Sequence, residues 1–162
     1  MCKSEDDDVD IQKCVMGSFS VIGKEGSTEE GNGFIARLWA DATEHFAEVE
    51  PLALKDAQGR PVGFWGAMSD LSRSFLPWQD NFSKGLYLAG VQCKSDAPAP
   101  AGWVKWTIPA YEYLYVETED ENTFSNVILY MEEQGIALAG AVHDFICPET
   151  GRNYQFFPIH KR

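Results

Sequence analysis

Tyrosine and tryptophan are the residues of this sequence whose types and spacing are best suited to binding chemistry, and they concentrate in one stretch. Residues 103–117 read W-V-K-W-T-I-P-A-Y-E-Y-L-Y-V-E and hold two of the five tryptophans and three of the six tyrosines. Tyr111, Tyr113 and Tyr115 recur at every second position, which is the period of a β-strand whose two faces have different surroundings. We predict that this strand opens the second half of a duplicated fold and lines a ligand groove. The alternative is a tyrosine-rich strand with one face in water.

Residues that bind metals or attack substrates are scattered rather than clustered. The cysteines are Cys2, Cys14, Cys93 and Cys147, and the histidines are His45, His143 and His160. Since there is no Cys-x-x-Cys pair and no mixed cysteine–histidine cluster, we expect reduced thiols and no structural zinc site. The sequence also lacks the glycine-rich phosphate-binding motifs and the G-x-S-x-G nucleophile motif. We therefore expect no metal and no cofactor.

Length and charge argue against several classes of protein. A chain of 162 residues favours one domain. Its 25 acidic and 13 basic residues leave a net charge of -12, which disfavours nucleic acid and anionic membranes because both attract a basic surface. No apolar run is long enough for a membrane span, and no apolar signal segment follows the acidic N-terminus. We therefore expect a cytoplasmic protein whose partners include neither nucleic acid nor membrane.

The periodicity of the sequence predicts the elements that must position the aromatic residues. Residues 1–17 are predicted to form an acidic tail, because the clustered aspartates repel one another and bury nothing. The predicted strands cover 18–24, 63–69, 85–93, 103–117, 137–147 and 154–160, and the predicted helices cover 34–49 and the residues after a capping box at 118–121, as far as 134. The connection 70–84 is rich in aromatic residues and is predicted to be either a packed flap or a lid over a site.

The predicted elements occur in the same order twice. A strand, a helix and two strands make repeat one, 18–94, and the same order makes repeat two, 102–160, with a linker rich in proline and alanine between them. Phe34 and Phe124 differ by 90 positions, as do Leu38 and Ile128, so the two helices are in register. The sequence therefore predicts one α+β domain, 18–162, built by duplication.

Four motifs occur in an order that resembles a known family. They are W-G-A-M-S-D at 65–70, G-L-Y-L-A-G-V at 85–91, G-W-V-K-W-T-I-P-A at 102–110, and G-A-V-H-D-F with Y-Q-F-F-P-I near the end. With these motifs the chain from about Ser18 onward resembles the GyrI-like small-molecule-binding domains, which are relatives of the effector-binding half of multidrug-responsive transcription regulators. The resemblance implies an antiparallel sheet formed by the two repeats, with two helices on one face and a concave aromatic ligand groove on the other.

The resemblance also implies how the groove binds. The family binds flat, hydrophobic, often cationic molecules, and a buried acid supplies the counter-charge. Matching the His-Asp-Phe segment to the family's late strand puts Asp144 where relatives carry a glutamate, while Gln92 stands where an acid is expected. Some relatives resemble hydrolases that open strained cyclopropane rings, a reaction in which carboxylates activate water. Asp144 and His143 are the candidates here, but successive strand residues point to opposite faces, so they do not share a pocket without a bulge.

The predicted ligand-binding residues combine aromatic side chains with this acid. They are Trp39, Trp65, Tyr87, Trp106, Tyr113, His143, Asp144, Tyr154 and Phe156. Each has a structural alternative: Trp39 in a helix core stripe, His143 as a satisfied buried histidine, and Asp144 as a surface carboxylate. One of Trp103 and Trp106 is expected in the core, and their spacing does not say which.

The resemblance and the residues together predict a stand-alone protein that binds small aromatic compounds, cationic ones among them, in order to sense or sequester them. Two alternatives stay open. One is a hydrolase of electrophilic, cyclopropane-bearing xenobiotics on the same fold, although the glutamine at position 92 counts against an enzyme. The other is a module that binds a protein partner, such as a topoisomerase, through its acidic surface.

Overall fold

Eight antiparallel strands form one sheet in the computed structural model, which describes residues 11–162. The strands are β1 (Gln12–Met16), β2 (Phe19–Ser27), β3 (Phe64–Ser69), β4 (Leu86–Cys93), β5 (Val104–Ile108), β6 (Tyr111–Glu117), β7 (His143–Ile146) and β8 (Asn153–Lys161). Two helices, α1 (Phe34–Glu44) and α2 (Thr123–Gln134), accompany them, together with a single turn of helix at Gln79–Phe82 and 3-10 turns at Thr28–Glu30, Phe46–Glu48 and Glu50–Leu52. None of the described helices is long and apolar enough to cross a membrane.

The strand order shows the duplication that the sequence predicts. Across the sheet it runs β1-β6-β8-β7-β3-β4-β2-β5. Repeat one supplies β2, α1, β3 and β4, repeat two supplies β6, α2, β7 and β8, and the halves join where β3 pairs with β7. The outermost strands are exchanged, because β1 of the first half pairs with β6 and β5 of the second half pairs with β2. The predicted α+β fold is confirmed.

Both helices cover the same face of the sheet, which we call the helix face. On α1, Phe34 packs with Tyr87 and Ala89 of β4. On α2, Val127 packs with Phe157 of β8. Tyr87 is paired with Met68, Gly66 with Asp144, and Asp144 with Gln155. Because alternate residues of a strand share a face, this series places Tyr87 and Phe157 on the same face of the sheet, and the two helices lie side by side over it. The other side is the helix-free face.

The aromatic stretch at 103–117 is two strands rather than the one that the sequence predicts. β5 ends at Ile108 and β6 begins at Tyr111, and the two strands pair with different neighbours. Pro109 lies between them and has no N–H group to donate to a ladder, so the chain changes partners there. Trp103 packs on the helix face and Trp106 on the helix-free face, and both are buried.

The structure also departs from the sequence prediction at several element ends. Residues Gln12–Met16 are predicted to belong to the acidic tail, but they form the strand β1. Cys14 and Met16 of this strand pack on the helix-free face. The rest of the predicted tail, residues 1–10, lies outside the described part of the chain. α1 ends at Glu44 and continues as 3-10 turns, and β7 begins only at His143. The predicted capping box is not formed, because α2 begins at Thr123 instead. Gly135 is the C-cap of α2 and has a left-handed conformation, with φ of 71°.

Candidate ligand-binding groove

A cavity of about 230 Å³ lies on the helix face where the two halves of the sheet join, and we call it the central groove. It differs in position from the groove that the resemblance implies, which would lie on the face opposite the helices. Met68 of β3, Asp144 of β7 and Gln155 of β8 form its floor, because β3, β7 and β8 are neighbouring strands at the centre of the sheet. The walls are Pro77, Trp78 and Phe82 from the β3–β4 connection, Phe124 from α2, and Val142 just before β7. The groove is therefore an apolar and aromatic cavity with one carboxylate and one amide on its floor.

Asp144 is held by a chain of hydrogen bonds that begins on α1. The Nε1–H group of Trp39 donates to the Tyr87 hydroxyl at 3.1 Å, and that hydroxyl donates to Oδ2 of Asp144 at 3.2 Å. The structure thus brings together three of the predicted site residues. Because the carboxylate sits between β3 and β8 rather than at the sheet edge, it faces the cavity instead of bulk solvent.

Burial changes the acid–base properties of this carboxylate. Burial raises the pKa of Asp144 to about 6, while hydrogen bonds from Tyr87 and Gln155 act in the opposite direction. Burial also raises the pKa of Tyr87 well above its ordinary value, and the adjacent Asp144 charge acts in the same sense. At neutral pH the tyrosine is therefore a donor and the aspartate is mostly ionised. The groove can offer a negative charge and a few hydrogen-bond acceptors in surroundings of low polarity.

The β3–β4 connection covers one side of the groove, as the sequence prediction of a flap or lid anticipates. Trp78 donates from Nε1 to the carbonyl of Leu86 at 2.9 Å, and a side chain on Gly85 would meet its indole ring at 2.1 Å. Only a glycine at position 85 lets the indole lie this close to the strand. At the far end, Phe82 contacts Phe124 edge to face, with ring centroids 5.1 Å apart. The connection is packed and also forms a wall of the cavity.

The other six predicted site residues lie on the helix-free face. They are Trp65, Trp106, Tyr113, His143, Tyr154 and Phe156. The ring of Trp65 lies 4.7 Å from those of Phe19 and Phe145, so much of this face is filled by the protein's own aromatic side chains. The nine predicted residues therefore do not form one site. Asp144 pairs with Gly66 while its neighbour Phe145 pairs with Trp65, so the strand alternation sends the acid and the tryptophan to opposite faces.

His143 has the structural role that the sequence analysis left open. It is fully buried on the helix-free face, and its Nδ1 accepts a hydrogen bond from the Met68 N–H group at 3.0 Å. Burial lowers the pKa of His143 to about 3, so the ring is neutral at physiological pH. As the parity argument predicts, His143 and Asp144 do not share a pocket. Gln92 also lies on the helix-free face, where its Oε1 accepts from Trp65 Nε1–H at 3.0 Å.

A second cavity lies on the helix-free face. It is more open to solvent than the central groove, and no carboxylate is among its lining residues. Its volume is about 390 Å³, and it is lined by Cys14, Met16, Tyr115, Phe145, Cys147, Tyr154 and Phe156. The rings of Tyr115 and Phe156 are stacked, with centroids 5.1 Å apart. This cavity contains two of the predicted residues but lacks a counter-charge.

Several side chains of the central groove are not predicted by any local pattern in the sequence. The residues around Gln155 in the sequence give no indication that it belongs to a binding site. It lines the groove because β8 pairs with β7, which places Gln155 opposite Asp144. Trp78 and Phe82 belong to the long connection 70–84, which is rich in aromatic residues. The sequence around them does not show which face of the sheet this connection covers. Phe124 packs on Phe157 in the core beneath α2, and it also lines the groove.

A scan against protein-family models finds no match, and a search of curated proteins finds none either. Solved structures do resemble the chain. SAV2435 bound to tetraphenylphosphonium has a TM-score of 0.65 at 15% identity, covering 93% of this chain and 93% of its own. The C-terminal domain of EcmrR has a TM-score of 0.64 at 13% identity, covering 95% of this chain and 99% of its own. A putative bacterial transcription regulation protein from Staphylococcus aureus MU50 has a TM-score of 0.62 at 13% identity, covering 94% and 99%.

At these identities the likeness is one of fold, and it extends over nearly the whole chain. It agrees with the duplicated sheet and the paired helices described above. The chain has the GyrI-like fold that the order of its sequence motifs predicts.

Proposed function

We propose that this protein binds small aromatic cations in the central groove, with the carboxylate of Asp144 as their counter-charge. The observation that carries the proposal is a shielded carboxylate on the floor of a cavity walled by the rings of Trp78, Phe82 and Phe124. Ring faces attract cations, and a carboxylate removed from bulk water attracts them more strongly than an exposed one. The protein would sense or sequester such compounds.

The electrostatics of the groove support a cation rather than a neutral ligand. A carboxylate whose pKa is about 6 is mostly ionised at pH 7, although burial makes its charge costly. Hydrogen bonds from Tyr87 and Gln155 compensate for part of this cost, and a bound cation would compensate for more. The net charge of -12 also favours the approach of cations to the molecule.

The fold comparison supplies a probe for the proposal. SAV2435, which shares the fold, was solved with tetraphenylphosphonium, a cation surrounded by aromatic rings. We expect this cation to produce a saturable change in the intrinsic tryptophan fluorescence of the present protein, because Trp78 lines the groove. The Asp144→Asn replacement should weaken the binding of tetraphenylphosphonium about tenfold or more. A tenfold loss corresponds to roughly 1.4 kcal/mol of lost charge interaction.

Triphenylphosphine oxide, a neutral molecule with the same kind of rings, is the matched ligand. Its affinity should change less than about twofold in the Asp144→Asn variant, because it has no charge to lose. Asp80→Asn is the matched control variant, since Asp80 is an exposed acid of the β3–β4 connection that does not line the groove. Equal losses for the charged and the neutral ligand would remove the counter-charge role, and the lack of any saturable response would remove the proposal.

One observation favours the hydrolase alternative as a second candidate. A carboxylate with a pKa of about 6 can accept a proton from water at neutral pH. The water oxygen would then bond to one carbon of a strained ring held against the aromatic walls, a ring carbon–carbon bond would break, and the released carbon would take the proton from the carboxyl group. The test is product analysis after incubation with a cyclopropane-bearing alkylating compound. Turnover that is lost in the Asp144→Asn variant would support an enzyme, whereas binding without a hydrolysed product would support a binding protein.

A further inference from the structure

Gln155 carries a polar atom that the folded chain leaves without a partner. Its side chain lines the central groove beside Asp144, and its Oε1 atom is buried with no hydrogen-bond partner among residues 11–162. A buried amide oxygen without a donor costs about 1–3 kcal/mol. Such an atom on the floor of a cavity points to a donor that arrives with a ligand.

The orientation of the Gln155 amide follows from its neighbour. Gln155 stands directly opposite Asp144 on the paired strands β7 and β8, and its side chain hydrogen-bonds the carboxylate in a way that favours the charged form. An ionised carboxylate only accepts hydrogen bonds, so the amide must turn its NH₂ group toward Asp144. The Oε1 atom therefore points away from Asp144.

Three aromatic side chains at or beneath the groove already use their polar hydrogens within the described part of the chain. The Tyr87 hydroxyl donates to Asp144, the Trp39 Nε1–H group donates to Tyr87, and the Trp78 Nε1–H group donates to the carbonyl of Leu86. The floor consequently contains two acceptors, the carboxylate of Asp144 and the amide oxygen of Gln155 on the neighbouring strand. A ligand that matches this floor must bring donors as well as positive charge.

We propose that the central groove selects cations whose charged head carries at least two N–H groups, such as aryl amidiniums, over cations without N–H groups. This inference rests on the proposed function and specifies its ligand class. One N–H group of the head donates to the Asp144 carboxylate, and another donates to Oε1 of Gln155. The aromatic body lies among the rings of Trp78, Phe82 and Phe124. A quaternary cation satisfies the charge but leaves the amide oxygen unpartnered.

The test compares two cations with the same aromatic body and the same charge, 2-naphthamidinium and (2-naphthyl)trimethylammonium. Their dissociation constants are measured by calorimetry at pH 8, where Asp144 is ionised. We expect the amidinium to bind about tenfold or more tightly, because a hydrogen bond gained by an otherwise unpartnered buried acceptor is worth about this much. Equal affinities, or tighter binding of the trimethylammonium cation, would overturn the inference.

Gln155→Leu and Gln155→Met separate the hydrogen bond from the difference in head size. Both remove the amide oxygen and keep a side chain of similar length, and melting curves confirm that each variant folds. The amidinium should lose about tenfold in affinity and the trimethylammonium cation less than about twofold, because only the former donates to Oε1. Equal losses for the two cations in both variants would contradict the proposal.

Tetraphenylphosphonium distinguishes failure of this inference from failure of the proposed function. If it binds with dependence on Asp144 while the two naphthyl cations bind equally, the groove is a cation site without the N–H preference. If none of the three cations binds, the proposed function fails and the ligand class fails with it.

Discussion

A single glycine decides whether the Tyr87 hydroxyl can reach the carboxylate in the central groove. Gly66 stands opposite Asp144 on β3, and a Cβ atom at this position would lie 1.8 Å from the Tyr87 hydroxyl oxygen and 3.2 Å from Cβ of Asp144. The glycine in the W-G-A-M-S-D motif therefore leaves the space in which the hydrogen bond forms. This explains one motif residue by packing and places it next to the proposed ligand site.

The Gly66→Ala replacement should displace the tyrosine and break its bond to Asp144. We expect a loss of stability of about 1–3 kcal/mol from overpacking, measured by urea unfolding, and weaker binding of tetraphenylphosphonium. Gly17→Ala is the matched control, because a Cβ atom there meets nothing within 4 Å and the replacement should be neutral. Unchanged stability and affinity in the Gly66 variant would show that the hydroxyl does not need this space.

At the scale of elements, the β3–β4 connection depends on one buried acid. Oδ1 of Asp70 accepts hydrogen bonds from the Ser74 N–H group at 2.9 Å, the Leu76 N–H group at 3.3 Å and the Ser69 hydroxyl at 3.1 Å. Burial opposes the charge of Asp70, but the hydrogen bonds, including one from Ser72, lower its pKa to about 2. Asp70 thus holds the segment that carries the groove wall, and its role is structural.

The Asp70→Ala replacement should release this connection, because two backbone N–H groups and two serine hydroxyls lose their acceptor. We expect a loss of about 2–4 kcal/mol in the free energy of unfolding and faster cleavage within residues 70–84 in limited proteolysis. Asp80→Asn serves as the control in the same segment, because Asp80 is exposed and has a φ of 51°, a conformation that asparagine tolerates. Equal cleavage of the two variants would show that Asp70 does not anchor the connection.

At the scale of the whole molecule, the proposed binding site is expected to reduce the stability of the fold. The folded pKa of Asp144 is about 6, above its ordinary value of 3.8, so the folded state binds this proton more tightly than the unfolded state. The contribution of Asp144 to stability is therefore most favourable below pH 3.8, and it is lost as the pH rises through 6. At neutral pH the protein retains a costly charge at the junction of its two halves.

The Asp144→Asn variant should consequently be more stable than the natural protein at pH 8, by about 1–3 kcal/mol, since a partly screened shift of roughly two pKa units is worth this much. The advantage should shrink as the pH falls through 6 and nearly disappear below 4. Thermal unfolding across this range measures the difference. His143 and Asp70 titrate in both proteins, so their contributions to the pH dependence of stability cancel in the difference between the two. A variant that is less stable at pH 8 would contradict this assignment.

Much of the fold could be predicted because its signals are local. The helix stripes, the alternating tyrosines and the repeated order of elements each depend on a short period within one segment. The same parity correctly separates His143 from Asp144 and puts Tyr154 and Phe156 on one face. β1 is not predicted from the sequence, because five residues next to an acidic segment show too little alternation to indicate a strand. The strand forms because it pairs with β6, which is far away in the sequence.

The sequence by itself determined the duplicated α+β plan and the wealth of aromatic side chains, since these follow from composition and period. Only the tertiary structure decided which side chains meet. The register between β3 and β7 places Gly66 against Asp144, the register between β7 and β8 adds Gln155, and the folded connection brings Trp78 over them. These residues are far apart along the chain, and strand register is set by long-range hydrogen bonding and core packing that no local pattern records.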